Sequence, residues 1–223
     1  MELKAEEISK RYFRKCGEAN YFDAVKPMSL VLEPGTVTMM GGRSGSGKTT
    51  VLHMLCGLLK PSKGRVTLDG TDLYALSDAA LSKLRNDLFG VVPQGRSAID
   101  TLTVLENILL PGALYNESDR LDIARKWMEV FGIAHLSAAF PAELSGGELR
   151  RMALARAFTT EPDILFADEP TGDLDDENTA VVLSALHQFA TEEGKIVFLV
   201  THEDDASRIA DRIFKMDAGV LTD

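Results

Sequence analysis

The chain has few cysteines, few basic residues and no long apolar run. Only Cys16 and Cys56 occur in 223 residues, far apart and at no metal-ligand spacing, so a disulfide framework or thiolate metal site is not expected. Both read as free thiols, Cys56 within an apolar helix face. The longest apolar runs, Val51 to Leu59 and Ile196 to Val200, fall well short of the roughly 20 residues a membrane-spanning helix needs. Direct membrane insertion is not expected, and any membrane association must pass through a partner. Lys and Arg total 24 against 34 Asp and Glu, a net charge of −10, and no basic run reverses that sign locally. Nucleic acid and anionic lipid are therefore repelled at long range. The N-terminal MELKAEEISKRYF mixes both charge signs and lacks the apolar centre of a secretory signal, so a cytoplasmic location is expected. Internal repeats and low-complexity tracts are missing too. What is present, 45% hydrophobic residues, suffices for one substantial core with a smaller subdomain.

The most informative segment is GGRSGSGKTT, Gly41 to Thr50, where Gly42, Gly47, Lys48 and Thr49 complete the GxxxxGK[ST] phosphate-binding pattern. Val37-Thr38-Met39-Met40 before it reads as a buried strand. Val51, Leu52, Leu55 and Leu58-Leu59 after it recur at helical spacing, so the glycines sit where a strand becomes a helix. Gly42, Gly45 and Gly47 let the backbone wrap a phosphate closely, with Ser44, Ser46 and Thr50 in the same loop. The helix N-terminus adds roughly half a positive charge, and the Lys48 ammonium adds a full one for the β- and γ-phosphates. The Thr49 hydroxyl suits Mg²⁺. A nucleoside triphosphate is the expected ligand.

Up to about Asp72 the chain reads as short strands, MELKAEEIS, SLVLEPG, VTMM and RVTLDG, with turns at Pro34-Gly35 and Asp69-Gly70, which suggests an antiparallel sheet layered on the phosphate-loop core. From Ser77, a plausible N-cap, Leu81, Leu84 and Leu88 share a helix face before strand Gly90-Val91-Val92-Pro93. Between Thr103 and Phe158 nearly everything reads helical, with Leu121, Ala124, Trp127, Met128 and Phe131 as an apolar stripe of core residues. After Pro162 come strand ILFA, a helix near Asn178 to Thr191, strand IVFLV and a terminal hairpin RIFKMDAGVLTD, an α/β ordering.

Strand ILFA delivers Asp168 and Glu169 to its C-terminal end, where open α/β sheets place ligands. Asp168 suits Mg²⁺ coordination, and Glu169 suits orientation or deprotonation of a water attacking the γ-phosphate. Leu144-Ser145-Gly146-Gly147-Glu148 opens a helix and forms a second amide-rich anion site without a Lys of its own. Gln94 follows VVP, Gly172-Asp173-Leu174-Asp175 follows the acids, and Thr201-His202 follows IVFLV.

Taken together, this set resembles the ATP-binding subunits of ABC transporters, over essentially the whole chain. The resemblance implies a P-loop NTPase fold with a RecA-like core, an N-terminal antiparallel β subdomain and an inserted α-helical subdomain. Residues 1–223 then form one ATPase domain, 95–160 being the helical part that carries the signature, and 1–94 with 161–223 the β subdomain and core. It further implies an ATP and Mg²⁺ enzyme that pairs head to tail with a second ATPase subunit, a homodimer. The loop of one chain and Ser145-Gly146-Gly147 of the other would sandwich each ATP, with Glu148 closing the signature and Asp175 between subunits. Gln94 would complete the Mg²⁺ and water shell and sense a transmembrane permease, Glu169 would be the base and His202 would contact the γ-phosphate. Tyr12 would stack on adenine, with Phe13 as second candidate. His53, His135 and His187 read as structural.

LDGTDLYALSDAALSKLR, LTVLENILLP and PAELSGGE are most similar to subunits of macrolide, lipoprotein and bacitracin-type peptide exporters. Export or membrane extraction is the expected task, at the inner face of the cell membrane, and mechanical regulation of a cell-division or cell-wall complex is the alternative. Three departures stand out: Arg43 where Pro is usual, GRSAI at Gly95 to Ile99 in place of an aromatic-containing stretch, and Leu149-Arg150 in place of a polar pair, while Arg151 matches the family's Arg.

Overall fold

The computed structural model describes residues 1–13, 21–115, 120–203 and 205–222, and Cys16 lies outside them. In chain order the elements are β1 (Leu3–Phe13), β2 (Tyr21–Leu32), β3 (Thr36–Gly41), α1 (Lys48–Leu55), β4 (Lys63–Leu68), β5 (Thr71–Asp72), α2 (Asp78–Leu88), β6 (Phe89–Val92) and α3 (Val104–Leu114). They continue as α4 (Leu121–Val130), α5 (Gly146–Thr159), β7 (Ile164–Asp168), α6 (Asp176–Thr191), β8 (Ile196–Thr201), β9 (Arg212–Asp217) and β10 (Val220–Thr222).

Two sheets form, a four-stranded antiparallel one in the order β2-β1-β4-β5 and a six-stranded one in the order β10-β9-β3-β8-β7-β6. The antiparallel sheet expected from the first 72 residues is there, but VTMM does not join it: β3 pairs in parallel with β8 and β9. The reason is burial. Val37 to Gly41 are all buried, so the strand is covered on both faces, which a parallel sheet between layers provides. Val37 and Met39 face one core and Met40 the other. The same alternation divides β7, with Leu165 and Ala167 against Ile164 and Phe166, and β8, with Val197 and Leu199 against Ile196, Phe198 and Val200. The six-stranded sheet is thus the middle layer. On one side lie α3, α4, α5 and α6; on the other lie α1 and the antiparallel sheet.

Local chemistry starts the helices as the sequence indicates. Ser77 caps α2 by accepting from the Ala80 amide, and Thr103 with Glu106 forms a capping box on α3. Asp69 and Gly70 both take left-handed angles, φ 47° and 81°, matching an Asp-Gly hairpin turn between β4 and β5. The α4 stripe is core: Ala124, Trp127, Met128 and Phe131 are buried. Phe158 of α5 packs against Trp127, Phe131 and Phe189 with ring centroids 4.2, 5.6 and 5.1 Å away. This aromatic cluster ties α4, α5 and α6 together.

Phe158→Ala should therefore cost about 3–5 kcal/mol in urea unfolding. Phe13→Ala, at a side chain 63% exposed, should change stability by less than about 0.5 kcal/mol. Equal effects would contradict the packing described.

Candidate functional site

The turn from β3 to α1 needs glycine for steric reasons. A Cβ on Gly42, at φ 145°, would lie 2.2 Å from the Met216 carbonyl oxygen, and one on Gly47, at φ 107°, 2.5 Å from that of Ala24. The loop is thereby pressed against β2 and β9, and its open side faces a cleft. Gly47 gives α1 no side-chain cap, as Arg120 gives none to α4, whereas α2, α3, α5 and α6 each have one. The first-turn amides of α1 are left for an external acceptor, the arrangement that binds phosphate. Lys48 is buried and its Nζ donates to the carbonyls of Gly42 at 2.6 Å and Arg43 at 3.1 Å, so the ammonium curls over the loop.

The cleft has a volume of about 560 Å³. Ser44, Gly45, Gly47, Lys48, Thr49 and Thr50 form its floor, Gln94, Glu169 and His202 one wall, and Tyr12, Phe22 and Ala24 its far end. Successive strand residues point to opposite faces, which separates the two aromatic candidates. Tyr12 lines the cleft and stacks on its cross-strand partner Phe22, centroids 6.3 Å apart and planes at 19°. Phe13 points to the other face, edge-on to Tyr21. Sequence reasoning missed Phe22; its register opposite Tyr12 depends on a hairpin whose length the sequence does not specify.

Asp168 ends β7 only 1% exposed, and its Oδ2 has no hydrogen-bond partner among the described residues. Burial raises its pKa, with the Glu169 charge acting the same way, opposed by the Thr49 hydroxyl and by the charges of His53 and Lys48. An orphaned carboxylate oxygen on an acid next to the Thr49 hydroxyl, with the Gln94 amide oxygen on the cleft wall, is the hard-oxygen donor chemistry that Mg²⁺ takes when substrate phosphate completes the shell.

Glu169 follows with a left-handed φ of 52° and is 8% exposed. Its carboxylate accepts from Thr201 Oγ1 at 2.9 Å and from the His202 amide at 3.3 Å, and Oε1 pairs with His202 Nδ1 at 2.8 Å. His202 is no core histidine: its side chain is 65% exposed, and the bond with Glu169 raises its pKa.

Other residues singled out in the sequence lie elsewhere. Ser145 and Gly146 are exposed at the start of α5 and do not line the cleft. Ser145 Oγ accepts from the Glu148 amide at 3.3 Å, and Glu148 Oε2 accepts from the Ser145 amide and hydroxyl, each at 2.7 Å. This capping box turns the Glu148 carboxylate onto its own helix, and Ser-x-x-Glu is its sequence signature. Asp175 likewise caps α6, accepting from the Asn178 amide at 2.8 Å. Gly146 and Gly147 pack on Asp173 and Leu174, so the signature and the loop after the acids form one exposed ridge apart from the cleft.

Because the folded-state pKa of His202 is raised, the stabilisation from its pairing is complete below about pH 6.5 and is lost as pH rises through the folded value. NMR titration of the imidazole should place its midpoint above about 6.5, and Glu169→Gln should bring it back down. A midpoint insensitive to that substitution would contradict the pairing.

Residues 25–172 match the profile of the ABC transporter family. The ABC transporter ATP-binding protein YtrE of Bacillus subtilis is 36% identical over 93% of this chain and 90% of its own length. A methionine import ATP-binding protein MetN of Latilactobacillus sakei is 39% identical over 97% of this chain, which spans 63% of that relative's length. The lipoprotein-releasing system ATP-binding protein LolD 2 of Rhodopirellula baltica is 36% identical over 85% of this chain and 77% of its own. Among solved structures, the dimeric post-hydrolysis state of the ATP-binding cassette MJ0796, bound to ADP and Pi, superimposes with a TM-score of 0.91 at 32% identity, covering 99% of this chain and 97% of that one. These matches place the chain in the ABC transporter family, as one of its ATPase cassettes.

Proposed function

We propose that the chain is the ATP-hydrolysing subunit of a transporter, dimerising head to tail around two Mg-ATP to drive a separate membrane permease. The observation that carries this reading is the split of the anion-binding groups: the phosphate loop lines the cleft, while the second uncharged amide cluster, Ser145 to Gly147, opens α5 outside it with Ser145 and Gly146 exposed. A second copy turned head to tail brings such a ridge over each cleft. The dimeric cassette that superimposes on this chain supports it.

ATP would lie with its adenine on Tyr12 and Phe22 and its phosphates on the α1 amides and Lys48. Stacking on an aromatic is worth about 1–3 kcal/mol per base and tolerates base identity. Thr49, Asp168 and Gln94 would hold Mg²⁺, which when bound neutralises phosphate charge and orients the β- and γ-oxygens. Glu169, held by Thr201 and His202, would take the proton of the attacking water, and His202 would then face the γ-phosphate. The buried Asp168 oxygen and the uncapped α1 remain unsatisfied without this ligand, which is further support.

Among the described residues no helix is long and apolar enough to cross a membrane, and the reading gives the membrane path to the permease. Residues 95–160 would act as a helical subdomain that turns with that partner, with the exposed Ile99 at its docking side. Both an importer and a lipoprotein-releasing subunit stand among the relatives. The export reading, for a peptide, lipoprotein or drug-like substrate, rests on the segments PAELSGGE, LTVLENILLP and LDGTDLYALSDAALSKLR.

Glu169→Gln should retain ATP binding while kcat falls about 100-fold or more, the usual effect of removing a positioned base. Lys48→Ala should instead weaken binding itself. Unchanged hydrolysis by the Glu169→Gln protein would overturn the base assignment.

A further inference from the structure

Arg150 replaces a polar residue usual after the signature, and neither the nucleotide cleft nor the dimer reading accounts for it. Its side chain is 9% exposed. A single guanidinium nitrogen, Nη1, donates to the carbonyl of Pro93 at 2.9 Å and to that of Asp168 at 3.3 Å. These carbonyls belong to the residues immediately before Gln94 and immediately before Glu169. On top of the ATPase reading above, we infer that Arg150 is a positioning residue that couples the Gln94 segment to the orientation of the Glu169 carboxylate.

The coupling follows from how the backbone at Glu169 is held. A glutamate at φ 52° is strained, and such angles persist only where the surroundings hold them. The peptide between Asp168 and Glu169 is fixed from both sides: its carbonyl accepts from Arg150, and its N–H donates to the Val200 carbonyl at 2.8 Å. The Glu169 carbonyl in turn accepts from the Gly172 amide at 3.1 Å. This backbone directs the side chain to Thr201 and His202. Without Arg150, the Asp168 carbonyl loses a charged donor, and Glu169 is free to relax toward negative φ and away from both partners.

The other bond of Nη1 reaches the segment whose geometry a partner would alter. Further along α5, Arg156 donates to the Ser97 carbonyl at 2.9 Å and to its hydroxyl at 2.5 Å. One helix, opening at the signature, therefore holds the Gln94 segment at both ends, and through Arg150 it holds the base as well. A shift of either the signature helix or the Gln94 segment changes the bond to Pro93 and reaches Glu169 through the same nitrogen. Burial lowers the pKa of the guanidinium, and the nearby carboxylates of Asp173, Asp168, Glu169 and Glu203 oppose that shift.

The test uses the full chain with Arg150→Met, which keeps volume and removes both bonds, and Arg150→Lys, which keeps the charge and one nitrogen able to reach a carbonyl. Measured are kcat and KM for Mg-ATP, equilibrium binding of a fluorescent ATP analogue, melting temperature, and hydrogen exchange of the backbone amides within residues 94–97 and 168–172. Loss of a charged hydrogen bond that acts on the base predicts that kcat for Arg150→Met falls roughly ten-fold or more, with Arg150→Lys in between. Analogue affinity should stay within about two-fold, and exchange should rise in both segments together. Wild-type kcat in Arg150→Met, or faster exchange in only one of the two segments, would overturn the inference. Should Arg150→Met not fold, Arg150→Lys decides on the same readouts. A wild-type chain without ATP turnover would remove the ATPase reading, and the paired exchange of the two segments would still decide the coupling.

Discussion

Parallel register in one sheet governs this molecule. Gly41 of β3 stands opposite Thr201 of β8, Asp168 of β7 opposite Val200, and Val92 of β6 opposite Ala167. Four strands therefore end at one edge, and the residues that follow them, Gly42, His202, Glu169 and Gln94 within two positions of each end, are gathered without any long-range loop having to place them. Both faces of this sheet are covered, and it is this cover that makes a parallel arrangement stable. Binding and catalysis inherit their geometry from core packing.

The edge is maintained against its own energetics. Asp168 Oδ2 and Ser46 Oγ are buried without partners among the described residues, and Glu169 and Asp173 hold positive φ. Each feature costs roughly 1–3 kcal/mol in a structure with nothing bound. These four lie around the phosphate loop and the acids, while Trp127, Phe131, Phe158 and Phe189 pack within the core between the helices and the sheet. Strain at the site is offset by regular packing away from it.

The strands, the helices and the phosphate loop were legible in the sequence because each depends on near neighbours: apolar periodicity, Ser77 and Thr103 as caps, Gly42 and Gly47 at a strand-to-helix turn. What was not legible depends on pairing across long stretches of chain. VTMM looks like any short strand until its two buried faces commit it to β8 and β9. Phe22 becomes a cleft residue only through its register with Tyr12. Arg150 stands out in the sequence only as half of a pair that departs from the usual polar one, although its guanidinium is the donor to carbonyls 57 and 18 residues away. The roles of Glu148 and Asp175 as helix caps were available from local spacing, yet a ligand-centred reading of the same residues conceals them.

The separation of cleft and signature ridge leads to the central claim, that a working site contains residues of two chains. Sedimentation of the Glu169→Gln chain in Mg-ATP, with and without Ser145→Arg in the same chain, tests it most directly. The account predicts a two-chain particle for the first protein and a one-chain particle for the second, with ATP still bound to its cleft. A two-chain particle in both, or in neither, would contradict it.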